Sequence, residues 1–155
     1  MGQNLADEFV QRYYEAAKKL EIGHWNKNPF MGPLISEDAV EKYIRFQGMA
    51  NREGAENLMR GKELSLEHQG NYVTPSIHLV SQFNEASVYQ KSEIFGPNVA
   101  IYTIDDLDEA IRINNSTGFG LVASVFTKEQ KVYERVLAGS RVGLLNWNRA
   151  TPGAS

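Results

Sequence analysis

The last third of the chain alternates apolar runs with segments of helical periodicity. The apolar runs occupy residues 99–104, 121–126 and 142–147. The two segments between them, 105–115 and 128–139, have the spacing of amphipathic helices: Leu107, Ala110, Ile111 and Asn114 share one face of the first, and Val132, Tyr133, Val136 and Leu137 share one face of the second. Strand, helix, strand, helix and strand with short connections are typical of parallel βαβ units. Because the three runs are apolar throughout, the pattern predicts strands that are buried on both faces.

The amino-terminal part of the chain has a helical pattern. Apolar residues recur at helical spacing over residues 5–20. A second helix is predicted to begin after Ser36, whose hydroxyl suits an N-cap, and to end near Gly54.

The middle of the chain is less regular. Short strands are predicted within residues 56–64 and 72–80, separated by a polar turn. Pro75 favours an edge position or an irregular start for the second of these stretches. Taken together, the patterns predict a single α/β domain over residues 1–155, with a mostly parallel sheet flanked by helices in three layers.

Composition excludes several classes of function. The 155 residues carry a net charge of −3 and form no long basic run, so we expect neither a nucleic-acid partner nor an anionic membrane surface. No apolar segment reaches the roughly 18 residues of a membrane-spanning helix, and a cytoplasmic location is expected. The chain contains no cysteine, which excludes disulfides and thiolate catalysis within it. No metal site is expected from three widely spaced histidines, His24, His68 and His78.

Two further patterns have plain structural interpretations. An acidic cluster precedes the predicted helix at 105–115, where carboxylates favour the helix start, and Asp106 with Glu109 has the spacing of a capping box. The segment Gly118 to Ala123 fits G-x-G-x-x-A, but it follows a helix and opens a strand, the reverse of a dinucleotide-binding motif. We therefore expect Gly118 to end a helix.

The stretch "KSEIFGP", Lys91 to Pro97, allows two interpretations. By composition alone it is a turn at Gly96 and Pro97 with Phe95 in the core. Alternatively, the Glu93 carboxylate accepts hydrogen bonds from both hydroxyls of a ribose, and Phe95 lies against a flat ring. The position immediately before a predicted parallel strand, in a loop, favours contact with a ligand.

The same stretch and its surroundings resemble a known family. "SEIFGP", the run "VAIYTIDDLDEAIRINNSTGFGLVASVFTKE" and the upstream "PFMGPLIS" are similar to segments of the NAD(P)-dependent aldehyde dehydrogenase superfamily, in the same order. The resemblance covers about residues 5–155. The ending "GLLNWNRATPGAS" resembles the branch that oxidises N-succinylglutamate 5-semialdehyde in bacterial arginine catabolism.

The resemblance implies covalent chemistry that this chain does not complete. In the family a cysteine thiolate attacks the aldehyde, hydride passes to the nicotinamide, and a glutamate activates water to release the acid. The chain has no cysteine and no "E-L-G-G" stretch that would carry that glutamate. The expectation is a partial catalytic domain without the nucleophile-bearing start and the C-terminal tail. It is expected to have no catalytic residue, to be inactive alone and to bind no cofactor by itself.

The resemblance also assigns candidate contact residues. Glu93 would bind the nicotinamide ribose of NAD or NADP, and Phe95 would contact the nicotinamide face. Asn148, Arg149 and Ser155 would contact the small-molecule aldehyde, with Arg149 as a charge partner for its carboxylates. The parent enzyme is expected to be a homo-oligomer.

Two alternatives remain beside this interpretation. The parent enzyme would act on another semialdehyde or an aliphatic aldehyde, or the chain would be a standalone α/β module that binds a partner or nucleotide without chemistry.

Overall fold

The computed structural model describes residues 3–152, which form two compact units. The first unit runs to Thr103 and the second begins at Ile104. The first contains helices α1 (Gln3–Lys18) and α2 (Glu37–Arg52) and strands β1 (Glu56–Met59), β2 (Glu63–Leu64), β3 (Tyr72–Val73), β4 (Ser76–Val80) and β5 (Asn98–Tyr102). The second contains α3 (Leu107–Asn114), β6 (Val122–Val125), α4 (Gln130–Gly139) and β7 (Leu144–Trp147). Between residues 3 and 152, no helix combines the length and apolarity needed to cross a membrane.

Helix α2 supplies much of the core of the first unit. Its start is confirmed at Ser36, whose hydroxyl accepts a hydrogen bond of 3.2 Å from the backbone N–H of Ala39. One face of the helix is buried, and the residues on it follow helical spacing: Val40, Tyr43, Phe46, Gln47 and Ala50. These side chains pack against the sheet and against the connection that leads into β5.

Strand β4 is the centre of the main sheet, whose order is β1-β4-β5. It pairs parallel with β5, with Ser76 opposite Asn98, and antiparallel with β1. The edge position suggested by Pro75 is therefore wrong. The irregular start is correct, because Pro75 lies just before the strand, where its missing N–H does not interrupt the ladder, and the Ser76 N–H donates to Pro97 O at 2.9 Å.

The second unit contains a β6-α4-β7 unit with parallel strands, as the sequence pattern predicts. Helix α3 is capped by Asp106, whose carboxylate accepts a 2.7 Å hydrogen bond from the Glu109 N–H. A turn of 3-10 helix extends α3 and ends at Gly118, which has φ 78°, so the predicted helix end at this glycine is confirmed.

The prediction of strands buried on both faces is wrong for the last three strands. β5 and β6 are half-buried along their length, and Leu144 and Trp147 at the ends of β7 are exposed. Among the described residues, the sheet of the second unit has only two strands, so little protein covers its apolar side chains. The α/β class itself is confirmed.

Candidate functional site

The loop Lys91–Pro97 places one apolar side chain inside and its two neighbours outside. Ile94 is 7% exposed and joins the core beside α2. Glu93 and Phe95 lie on either side of it in the sequence and are exposed, Phe95 to 76%. The interpretation of Phe95 as the core residue is therefore wrong, because Ile94 fills that position. The loop presents a carboxylate and an aromatic ring on its outer side.

Phe95 has a backbone conformation that aromatic residues rarely adopt. Its φ is 57°, in the left-handed region, which costs an L-residue about 1–2 kcal/mol. Such strain persists only where the surroundings hold the residue in place, and it is concentrated at ligand-binding sites. An exposed ring in a strained conformation gains no stability from burial. The conformation therefore makes Phe95 a candidate contact residue.

Gly96 is required by a close approach to the core. A Cβ at this position would lie 2.6 Å from Cδ2 of Tyr43. Tyr43 is fully buried, and its hydroxyl donates to Thr74 O at 2.7 Å, so its ring has little freedom to move away. Because Gly96 has no side chain, the loop backbone contacts the Tyr43 ring directly, and this contact sets the distance of Phe95 from the core.

Lys42 on α2 holds the outer side of the loop. Its ammonium donates to the backbone carbonyl of Glu93 at 2.7 Å and lies 5.6 Å from the centre of the Phe95 ring. The second distance is within the range of a cation–π interaction. Sequence reasoning missed this residue, because a single lysine on a helix has no feature that separates it from a solvated one.

A buried hydrogen-bond network closes the base of the loop. The Tyr89 hydroxyl donates to Asn98 Oδ1 at 3.2 Å, and Ser76 Oγ donates to the same oxygen at 3.0 Å. His78 Nδ1 lies 3.0 Å from the Tyr89 hydroxyl. Since that hydroxyl has one proton, it donates to Asn98 only if His78 carries its proton on Nδ1.

Burial keeps this network neutral. It raises the pKa of Tyr89 to about 12, and it lowers the pKa of His78 below its ordinary value. His78 is completely buried, and its Nε2 has no hydrogen-bond partner among the described residues. A second proton on the ring would therefore place an unpaired N–H and a charge in the core.

The predicted substrate residues belong to the second unit. Asn148 follows β7 with φ 51°, and its side-chain amide accepts from Thr127 N–H at 2.9 Å and donates to Thr127 O at 2.9 Å. The amide is thus engaged with the connection after β6. Arg149 is exposed, and its guanidinium makes no ion pair or hydrogen bond within residues 3–152. Ser155 lies outside the described residues.

The neighbours of Asn148 order the end of β7. Asn146 Nδ2 donates to Ala150 O at 3.1 Å, a contact that orders the chain after the strand. The indole of Trp147 stacks on Tyr133 at 5.0 Å with an interplanar angle of 10°, and it is 39% exposed. Trp147 is thus partly exposed and not a core residue.

The outer side of the loop exposes polar and apolar groups next to each other. Glu93 offers acceptor oxygens, Phe95 offers a flat apolar surface and Lys42 fixes both by one contact each. In the part of the chain that the structure describes, no three acidic or histidine side chains are arranged to hold a metal ion. The exposed carboxylate and ring lie two residues apart, and a carboxylate is able to accept hydrogen bonds from two neighbouring hydroxyls.

Sequence comparison places the chain among known enzymes. A profile of the aldehyde dehydrogenase family matches residues 2–155. The N-succinylglutamate 5-semialdehyde dehydrogenase of Acinetobacter baylyi is 37% identical over 151 residues, which are 96% of this chain and 30% of that protein. The protein of the same name from Serratia proteamaculans is 32% identical over 151 residues, with the same coverage.

Solved structures agree with the sequence comparison. Lactaldehyde dehydrogenase from Escherichia coli matches with a TM-score of 0.82 and 30% identity, covering 94% of this chain and 30% of that one. A 1-pyrroline-5-carboxylate dehydrogenase from Thermus with bound NAD matches with a TM-score of 0.82 and 25% identity, covering 93% and 27%. The chain spans about 30% of the length of the curated relatives it matches.

Proposed function

The chain belongs to the aldehyde dehydrogenase family, and we propose that it forms the part of an NAD(P)-dependent aldehyde dehydrogenase that holds the nicotinamide end of the cofactor. The observation that carries this proposal is the strained, exposed Phe95 beside the exposed Glu93. A relative in structure binds NAD, which supports a nicotinamide cofactor.

Each residue of the loop has a defined part in this proposal. The Glu93 carboxylate accepts hydrogen bonds from the two ribose hydroxyls, and the Phe95 ring limits the movement of the nicotinamide. Lys42 keeps the Glu93 carbonyl and the Phe95 ring in place. A bound nicotinamide cofactor supplies the hydride-accepting chemistry. Because the 155 residues contain no cysteine, we propose that the chain alone does not oxidise aldehydes.

The proposed substrate is N-succinylglutamate 5-semialdehyde, which the parent enzyme would oxidise to N-succinylglutamate. The names of the two relatives in sequence support this choice. The exposed guanidinium of Arg149 is suited to a carboxylate of this substrate. Asn148 would contribute by fixing the backbone before Arg149, since its own amide is engaged with Thr127. Ser155 is proposed as a hydrogen-bond donor to the same substrate.

A hybrid enzyme tests both parts of the proposal. In it, the aligned residues of this chain replace the corresponding 151 residues of the Acinetobacter baylyi protein. We expect NADH to form from N-succinylglutamate 5-semialdehyde and NAD. Glu93→Gln should raise KM for NAD about tenfold or more, the worth of a hydrogen bond to a charged group. The control is Glu63→Gln, which alters an exposed carboxylate on β2 and should leave KM unchanged.

Separate results would contradict the cofactor and the substrate assignments. An unchanged KM for NAD in Glu93→Gln would refute the cofactor site. Arg149→Gln should lower kcat/KM for N-succinylglutamate 5-semialdehyde relative to an uncharged aliphatic aldehyde, with Arg141→Gln as the control. An equal loss for both aldehydes would refute the substrate role of Arg149. NADH formation by the purified 155-residue chain would refute its proposed inactivity.

A further inference from the structure

The carboxylate of Glu53 joins the end of α2 to the connection between β4 and β5. It accepts hydrogen bonds from the Ser87 hydroxyl, from the Val88 N–H at 3.2 Å and from the Tyr89 N–H at 3.1 Å. Ser87 is 3% exposed, so this donor is shielded from water. Hydrogen bonds to a carboxylate are stronger than those between neutral groups, and three of them converge here on one side chain.

The position of Glu53 itself is set by the helix. Its N–H donates to Met49 O at 2.9 Å, and Gly54 follows with φ 88°, the left-handed conformation that ends many helices. The carboxylate is therefore carried by a rigid element, at the point where the chain turns away from α2.

Tyr89 links Glu53 to the residues at the base of the loop. Its N–H is held by Glu53, while its hydroxyl donates to Asn98, the first residue of β5. The segment from Tyr89 to Asn98 is thus tied at both ends, and Glu93 and Phe95 lie within it. A displacement of Tyr89 would therefore move the backbone that carries Glu93 and Phe95.

We propose that Glu53 is a positioning residue for the loop Lys91–Pro97, acting through Tyr89. The proposal rests on the proposed function, in which Glu93 and Phe95 hold the nicotinamide end of the cofactor. Two contacts from α2 and its C-cap hold this segment: Glu53 binds Tyr89, just before the loop, and Lys42 binds the Glu93 carbonyl within it. A residue held at φ 57° needs such constraints on both sides, because without them the backbone relaxes to an unstrained conformation.

Amide exchange in the 155-residue chain is the first measurement. Glu53→Ala should accelerate exchange of the hydrogen-bonded amides of this segment by about tenfold or more, since it removes hydrogen bonds to a charged group; these amides are Val88, Tyr89, Gln90 and Ser92. Protection in α2 and β4 should remain. Glu53→Gln keeps one acceptor oxygen without the charge, so it should give an intermediate rate. The control is Glu41→Ala, on the exposed side of α2.

Steady-state kinetics of the hybrid enzyme is the second measurement. Glu53→Ala should raise KM for NAD at least threefold, Glu53→Gln should raise it less, and neither should change kcat more than twofold. Glu93→Gln is measured in parallel as the test of the cofactor site.

Two results would overturn the proposal, and a third would separate it from the cofactor assignment. Accelerated exchange throughout the first unit would show that Glu53 only stabilises the fold. Local loosening with unchanged kinetics would show that the loop tolerates the loss of its anchor. An unchanged KM in Glu93→Gln, with local loosening in Glu53→Ala, would refute the cofactor assignment while showing that Glu53 does hold the loop, so the two failures are distinguishable.

Discussion

Replacing Gly96 by alanine tests whether the loop rests directly on the core. The added Cβ would lie 2.6 Å from Tyr43 Cδ2 and 3.2 Å from Cε2. Ordinary contact begins near 3.4 Å, so either the ring or the loop must move by about 0.8 Å. The ring is confined, since its hydroxyl is bonded to Thr74 O and a Cβ on Gly61 would come within 2.0 Å of the same hydroxyl oxygen.

The magnitude follows from this confinement. Inserting one methyl group into a well-packed core destabilises a protein by about 1–3 kcal/mol. We expect Gly96→Ala to lie near the upper end, because moving the loop away from Tyr43 would also weaken the 2.9 Å hydrogen bond from Ser76 N–H to Pro97 O. With a urea m-value of about 1–3 kcal/mol/M, the midpoint should fall by roughly 1 M.

Urea unfolding followed by circular dichroism measures this loss. The control is Gly32→Ala, because a Cβ on Gly32 meets no atom within 4 Å and the residue has no positive φ. That variant should be unchanged or more stable by up to about 1 kcal/mol. A Gly96→Ala variant within about 0.5 kcal/mol of the original chain, the range of surface substitutions, would refute the packing argument. So would an equal loss in Gly32→Ala.

Three further predictions concern titration and the second unit. Burial lowers the folded-state pKa of His78, so the free energy of unfolding should be highest above about pH 6.5 and fall as the pH drops toward the lowered pKa. In urea titrations at several pH values, His78→Gln should reduce this dependence on pH. Burial raises the pKa of Tyr43 and Tyr89 to about 12, so their contribution to stability should be present below about pH 10 and be lost toward pH 12. Burial also raises the pKa of Tyr102, so tyrosinate absorbance of the folded chain should show three late-titrating groups. Asn148→Ala should destabilise the second unit by about 1–3 kcal/mol in thermal unfolding, and Asn148→Gly, which tolerates φ 51°, should lose less because only the amide contacts to Thr127 are removed.

Local signals in the sequence predicted the elements well and the burial of their side chains poorly. Ser36 and Asp106 were recognisable as caps because capping depends on residues three positions apart. The sequence did not predict that Ile94, and not Phe95, is the buried residue. Both are apolar, and the path of the loop decides which one faces α2. An apolar strand likewise indicates that its side chains need a covering neighbour, but its sequence does not identify that neighbour.

The contacts that hold the candidate site could not be predicted from the sequence, for a different reason. Lys42 meets the carbonyl of Glu93, 51 positions later, and Glu53 meets Tyr89, 36 positions later. A single charged residue in or just after a helix is most often solvated, and no local pattern distinguishes these two. The resemblance in sequence pointed to Glu93 and Phe95 but carried no information about what keeps them in place.

Helix α2 connects the stability of the first unit to the geometry of the loop Lys91–Pro97. Its buried face forms the core through Tyr43, which also sets the floor under Gly96. Lys42, within that stretch, and Glu53, just after the helix, hold the loop and the segment before it. The strain of about 1–2 kcal/mol at Phe95 is of the same order as one hydrogen bond to a charged group, so loss of either contact is enough to release it. The loop therefore keeps this conformation only while α2 is docked, and under the proposed function the packing of this helix would affect cofactor affinity.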